Sequence, residues 1–108
     1  MIEYPTPDMA DIELVDVLRA VADPARLMIL RVLADGEPHR KEPDVWGLPL
    51  QKSTLSHHFK ALREAGLTRT SVDPDDGRCH TLQLRREELD VRFPGLMAAI
   101  LDPVAAER

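Results

Sequence analysis

The hydrophobic positions of the chain recur at helical spacing in two consecutive segments near the N-terminus. In residues 11–22 apolar side chains return every three or four positions, which predicts a first helix with a wide apolar face. The Asp23-Pro24 pair predicts the start of a second helix over 24–35, since Asp caps free amides and Pro fits the first helical position. Gly36 predicts its end. We expect this second helix to bury or cover Leu27, Met28, Ile29, Leu30, Val32 and Leu33.

The middle of the chain changes from an irregular segment to a strongly periodic one. Residues 37–50 contain three prolines and allow only a short helix, over 42–46. Residues 53–65 predict a third long helix, with Ser53 as its N-cap and Gly66 at its end. Its buried stripe is Leu55, Phe59 and Leu62, at positions i, i+4 and i+7. The opposite face carries polar side chains: Thr54, Ser56, His57, Lys60 and Arg63.

The last third of the chain predicts a β-hairpin followed by a final helix. Residues 68–72 are rich in β-branched side chains, 73–77 form a turn cluster, and 79–84 alternate again. A helical pattern begins at residue 86 and is interrupted by Pro94-Gly95. A short helix, a turn and a polar-faced helix form a helix-turn-helix, and the hairpin adds a wing. We therefore predict a mainly α, winged helix-turn-helix fold of order α-α-α-α-β-β-α, with an N-terminal arm (1–10), one domain (11–102) and a frayed tail (103–108).

Length and composition limit the classes of function. A chain of 108 residues with 44% hydrophobic side chains has room for one packed core. No run of about 18 apolar residues is present, so we expect no membrane partner. The acidic start lacks the features of a signal peptide, and we expect a cytoplasmic protein. The single cysteine excludes an internal disulfide and any metal site that needs two cysteines of one chain.

The net charge of −5 is unevenly distributed along the chain. Residues 1–24 hold six acidic side chains and one basic side chain, so this segment alone carries −5. Residues 25–108 are balanced, and within them residues 51–70 carry a local charge of +3. The overall acidity, which would argue against a nucleic-acid partner, therefore belongs to one end of the chain.

The polar face of the third helix is suited to reading DNA. An α-helix fits the major groove of B-DNA, where short hydroxyl and imidazole side chains reach base edges. Lys60 and Arg63, further along the helix, are spaced to meet phosphates. At the tip of the hairpin, Arg78 could contact the adjacent minor groove or backbone. Nearby acids at 73, 75 and 76 would weaken that contact.

Two segments resemble the ArsR/SmtB family of bacterial repressors. Residues 22–33 (ADPARLMILRVL) are similar to the family's ADPxRLxILxxL helix, and residues 53–67 (STLSHHFKALREAGL) to its recognition helix, STVSHHLKxLREAGLV. The resemblance, over roughly 11–92, implies a dimeric repressor of a palindromic double-stranded DNA operator. It implies base-reading positions at Lys52, Ser53, Ser56 and His57, flanked by Thr54. It also implies dimerisation through the first and last helices, at Ile12, Leu14, Val15, Leu18, Leu96, Met97, Ile100 and Leu101.

The sequence departs from the family where many members bind their inducer. Residues 41–50 contain neither Cys nor His, and residues 86–101 contain no His. Family persulfide sensors need two thiols, and this chain has one. We therefore expect no metal and no cofactor, and the sequence identifies no effector.

Two side-chain pairs and one alternative function need separate consideration. The neighbouring His57 and His58 lie about 100° apart on a helix and cannot chelate one metal together. Cys79 and His80 adjoin on a strand and point to opposite faces, so we expect no catalytic pair and no enzyme. The alternative function is a winged-helix module that binds protein instead of DNA, which the charge of −5 favours slightly.

Overall fold

The computed structural model describes residues 6–41, 46–47, 49–73 and 75–102, apart from the side chains at positions 73, 76, 78 and 79. Two short 3₁₀ turns, Met9–Asp11 and Leu33–Asp35, accompany the regular elements. The helices are α1 (Leu14–Val21), α2 (Pro24–Val32), α3 (Lys52–Glu64), α4 (Arg86–Arg92) and α5 (Leu96–Leu101). The strands are β1 (His39–Arg40), β2 (Thr68–Asp73) and β3 (Asp76–Leu84).

This architecture confirms the predicted winged helix-turn-helix, mostly helical with a small antiparallel sheet. The sheet has the order β1-β3-β2, so it contains one strand that the sequence did not predict. That strand, β1, pairs His39 with Leu82 and Arg40 with Thr81. Two residues are too few to give a recognisable alternation, and they are held by the edge of β3. The predicted short helix at 42–46 lies outside the described residues except for Trp46.

Helix α2 begins as its sequence predicts. The Asp23 side chain accepts hydrogen bonds from the amides of Ala25 (2.9 Å) and Arg26 (3.2 Å), and Pro24 is the first helical residue. These hydrogen bonds lower the pKa of Asp23 against the opposing effect of its desolvation. The expectation that Met28 is covered was wrong, since it is 45% exposed. Met28 precedes the fully buried Ile29 and Leu30 and lies at the outer edge of the helix's apolar stripe.

Helix α3 packs its predicted stripe into the core. Leu55, Phe59 and Leu62 are all buried. The predicted cap was wrong, because the chain becomes helical immediately after Gln51. Gln51 has extended backbone angles and is the N-cap, which leaves Ser53 exposed within the first turn.

The hairpin is longer than the sequence predicted, and its base is buried. Strands β2 and β3 pair from Thr68 with Leu84 to Val72 with His80, with an irregularity after Val72. Leu82 and Leu84 pack into the same core as the helices. The wing is therefore anchored at its base.

The segment before α1 is attached to the C-terminal part of the fold by two arginines. Arg85 donates to the carbonyl oxygen of Pro7 (2.7 Å), and Arg92 donates to the carbonyl oxygen of Ile12 (2.9 Å). Residues 6–10 of the predicted arm thus include an anchored stretch. Pro94-Gly95 separates α4 from α5 as the sequence predicted, and Gly95 has a φ of +83°.

Candidate nucleic-acid interface

One face of α3 presents a row of exposed polar side chains. Ser53, His57 and Lys60 follow each other at i, i+4 and i+7, so they lie above one another on the surface opposite the buried stripe. Ser56 is also exposed and lies on one side of this row. Hydroxyl and imidazole groups at the N-terminal half, followed by an ammonium group, match the order expected of a helix that enters the major groove.

The other predicted contacts of α3 lie on its flanks. Lys52 and Thr54 are exposed in the first turn, to either side of Ser53. Arg63 is half-buried, on the flank that Ser56 also borders, since the two are seven residues apart. On the wing, Arg78 belongs to β3, and its side chain lies outside the described residues.

His58 has a structural position beside this face. Its Nδ1 accepts a hydrogen bond of 3.1 Å from Nε of Arg26 in α2. Arg26 also donates its backbone amide to Asp23 and one guanidinium nitrogen to the carbonyl oxygen of Ala20, at 3.5 Å. The two adjacent histidines therefore differ in role: His58 joins α3 to α2, while His57 is exposed.

Asp16, the acidic side chain of α1, lies near the far end of α3. Asp16 and Ala20 of α1 line one shallow surface depression together with Ala61 and Glu64. Glu64 is eleven residues beyond Ser53, a distance of about 16 Å along the helix axis. This exceeds the Debye length of about 10 Å at 0.1 M salt. The charge of Asp16 is thus largely screened from the N-terminal half of α3.

An aromatic cluster supports the flank of α3 that carries Arg63. The rings of Trp46 and Phe59 are 5.3 Å apart between centroids, and those of His39 and Trp46 are 6.2 Å apart. The Nζ atom of Lys41 lies 5.7 Å from the centroid of the Phe59 ring. Trp46 is buried. No sequence pattern singles out Lys41, because its approach to α3 depends on a tertiary contact.

An ion-pair network holds the wing against α4. Glu88 accepts from Arg85 through Nε (3.2 Å) and Nη2 (2.8 Å), and Arg69 of β2 also pairs with Glu88. The hydrogen bonds from Arg85 lower the pKa of Glu88, with smaller contributions from Arg69. The Arg85 side chain is only 3% exposed. The network fixes the base of the wing relative to the helical core.

Known proteins with similar sequences agree with this geometry. A family model described as "Bacterial regulatory protein, arsR family" matches residues 47–70, the segment that contains α3. The HTH-type transcriptional regulator YceK of Bacillus subtilis (strain 168), whose name describes it as uncharacterized, is 33% identical over 91 residues. The alignment covers 78% of this chain and 82% of the relative. The chain belongs to the ArsR family.

As an ArsR-family protein, the chain is a DNA-binding transcriptional regulator. The family and the name of the relative indicate a regulator rather than an enzyme. Within the described part of the chain, no group of three His, Cys, Asp or Glu side chains is arranged to hold a metal ion. No helix among the described residues is long and apolar enough to span a membrane.

The residues predicted for dimerisation fall into two groups. Leu14, Val15 and Leu18 are 44%, 53% and 44% exposed, and together they form an apolar stripe on α1. Three others, Ile12, Met97 and Leu101, are buried in the core of the chain itself. Leu96 and Ile100 are partly buried against that core. An interface between two copies would therefore consist mainly of exposed residues of α1, with a smaller contribution from the partly buried residues of α5.

Proposed function

We propose that this ArsR-family protein is a dimeric repressor that binds a palindromic DNA operator, with α3 in the major groove. The row of exposed polar side chains on α3, opposite its buried stripe, is the observation that carries the proposal. Ser53, Ser56 and His57 are placed to meet base edges, and Lys60 to meet a phosphate. Such a repressor would act in the cytoplasm, which is the location expected from the sequence.

The flanking residues complete the proposed surface. Lys52 and Thr54 lie at the end of α3 that enters the groove, where the helix N-terminus also favours an anion. Arg63 would contact the backbone two turns beyond Ser56. Arg78, near the tip of the wing, would contact the adjacent minor groove or backbone, as proposed from the sequence.

The apolar stripe of α1 supports the dimer. Leu14, Val15 and Leu18 lie on one side of the helix, at i, i+1 and i+4, where a second copy would bury them. In a two-fold symmetric dimer, both α3 helices would face successive major grooves about 34–36 Å apart. This arrangement requires an operator with inverted half-sites.

Substitutions on α3 test which of its side chains contact bases and which contact phosphates. Ser56→Ala and His57→Ala should each weaken binding to a selected operator by about 1–3 kcal/mol per lost base contact, with little effect on random duplex. Lys60→Ala should instead weaken binding to both duplexes to the same extent. Glu64→Gln is a control at the far end of the same face. If Ser56→Ala and Lys60→Ala both bind the operator as wild type does, the face is wrongly assigned.

Salt dependence separates this function from the protein-binding alternative. Lys52, Lys60 and Arg63 would give six phosphate contacts in a dimer, and counterion release then predicts a slope of log affinity against log salt of about −5. Lys60→Ala should make the slope shallower by about 2, since it is present twice. No binding to any duplex at low salt would favour a module that binds protein.

A further inference from the structure

Lys41 stands beside α3 although it belongs to another part of the chain. It follows directly after β1, and its half-buried side chain brings Nζ to 5.7 Å from the Phe59 ring centroid. A cation over an aromatic face is attracted by the ring quadrupole. This contact directs the ammonium group toward the flank of α3.

A second cation occupies the same flank. Arg63 is four residues after Phe59, one turn further along α3. Burial, and to a smaller extent the nearby positive charge of Arg63, lower the pKa of Lys41 to about 8. The fold thus brings two cationic side chains close enough to interact electrostatically.

The flank is continuous with the face that reads DNA. Ser56 lies on the side of the α3 face next to Arg63, and the two are separated by about 10 Å along the helix axis. A length of about 10 Å spans about three phosphates of one DNA strand, at about 3.4 Å of DNA axis each. DNA contacted at Ser56 would therefore bring a phosphate toward Lys41 and Arg63.

We propose that Lys41, together with Arg63, binds the DNA phosphate backbone at the flank of α3 and is a further DNA-contacting residue of this protein. The inference rests on the proposed function. Both side chains make other interactions in the structure, so phosphate binding exchanges partners for them.

The proposal gives DNA binding a pH dependence of known sign. A phosphate favours the charged ammonium group, so the pKa of Lys41 is higher in the complex than in the free protein, where it is about 8. Affinity is then fully present below this pKa and falls as pH rises through it. Between pH 7 and pH 9 the loss is at most about tenfold for each protomer, the limit reached when the pKa in the complex lies well above 9.

The charged groups around Lys41 do not produce the same profile. On α3 the charged neighbour is Arg63, and next to Lys41 in sequence are Arg40 and the His39–Asp35 pair of β1 and the turn before it. The two carboxylic residues at 42 and 44 follow Lys41 in sequence and lie outside the described residues. Arginines and carboxylates keep their charge between pH 7 and pH 9.

The decisive experiment compares the affinity of three proteins for one operator duplex at pH 7 and at pH 9. This duplex is one that has been selected by its binding to the wild-type protein. All carry Cys79→Ser, which removes the thiol that also titrates in this range. The otherwise unchanged protein should lose affinity at pH 9. Lys41→Arg should retain its affinity at pH 7 and lose the pH dependence. Lys41→Ala should bind more weakly at pH 7 and make the salt slope shallower by about 2 per dimer.

The outcomes distinguish this inference from the proposed function. Thermal unfolding of each variant at both pH values checks that the fold is intact. If the unchanged protein binds duplex DNA with a steep salt dependence but both Lys41 variants match it at each pH, the role of Lys41 is wrong and the proposed function stands. If no protein binds any duplex, the proposed function itself fails.

Discussion

The end of α3 offers a sharp test of how the recognition helix is fixed to the domain. Gly66 has a φ of +87°, and its amide donates to the carbonyl oxygen of Arg63 while Leu67 donates to that of Leu62. This pair of hydrogen bonds is a Schellman motif, which needs a left-handed residue after the helix. A Cβ at Gly66 would stand 2.3 Å from Cδ1 and 2.5 Å from Cγ1 of Ile12. Gly66→Ala therefore introduces both backbone strain and a collision.

The two effects can be given separate magnitudes. An L-residue in the left-handed region costs about 1 kcal/mol. Overpacking against a buried side chain costs about 1–3 kcal/mol. Ile12 is buried, and its carbonyl oxygen accepts from Arg92, so it has little room to move aside. We expect Gly66→Ala to lower the free energy of unfolding by about 2–4 kcal/mol, a large share of the stability of a domain of this size.

Urea denaturation at one fixed protein concentration measures this loss. Gly36→Ala is the matched control, because Gly36 has a φ of +80° and a Cβ added there would meet nothing within 4 Å. Gly36→Ala should lower the free energy of unfolding only by the cost of backbone strain, about 1 kcal/mol. In a double-mutant cycle, Gly66→Ala is also made in a protein that carries Ile12→Ala. There it should lower the free energy of unfolding only by the cost of backbone strain, without the part due to the collision with Ile12. Equal losses for Gly66→Ala and Gly36→Ala would refute the close packing of Ile12 against the end of α3.

Three further predictions concern the dimer, the wing and the effector. Leu18→Glu should dissociate the dimer in sedimentation at micromolar concentration, whereas Met28→Glu, equally exposed on α2, should not; a stable wild-type monomer would contradict the interface. Glu88→Gln should destabilise the fold by about 1 kcal/mol at pH 7. Because the pKa of Glu88 is lowered, this difference should vanish as pH falls through that pKa, and a constant difference at pH 2–7 would contradict the network. Zinc, cadmium or arsenite should leave operator affinity unchanged, and loss of binding with stoichiometric metal would refute this.

The features that the sequence predicted well are those set by local patterns. The stripe of Leu55, Phe59 and Leu62 and the cap at Asp23 follow from helical spacing and from the needs of free amides. Both were confirmed in the structure. The resemblance to the ArsR family was confirmed as well.

The features that the sequence missed depend on tertiary contacts. The pairing of β1 with β3 and the approach of Lys41 to Phe59 join segments that are distant in sequence. Apolar spacing also cannot tell which side of a helix faces its own core and which faces outward. Ile12, Met97 and Leu101, which the resemblance to the family implied for a dimer interface, are buried in the core of the chain.

Directed cleavage of DNA would show whether α3 is the element that lies in the groove. Thr54→Cys and Arg19→Cys would each be made in a protein that also carries Cys79→Ser, so that each variant has one cysteine. That cysteine would be labelled with an iron chelate that cleaves nearby DNA. Thr54 is exposed in the first turn of α3, and Arg19 is exposed on α1. With α3 in the groove, we expect two cleavage centres from position 54, about 10 base pairs apart on the operator, and little cleavage from position 19. Cleavage centred on position 19, or none from position 54 in a protein that binds the operator, would contradict this placement of α3.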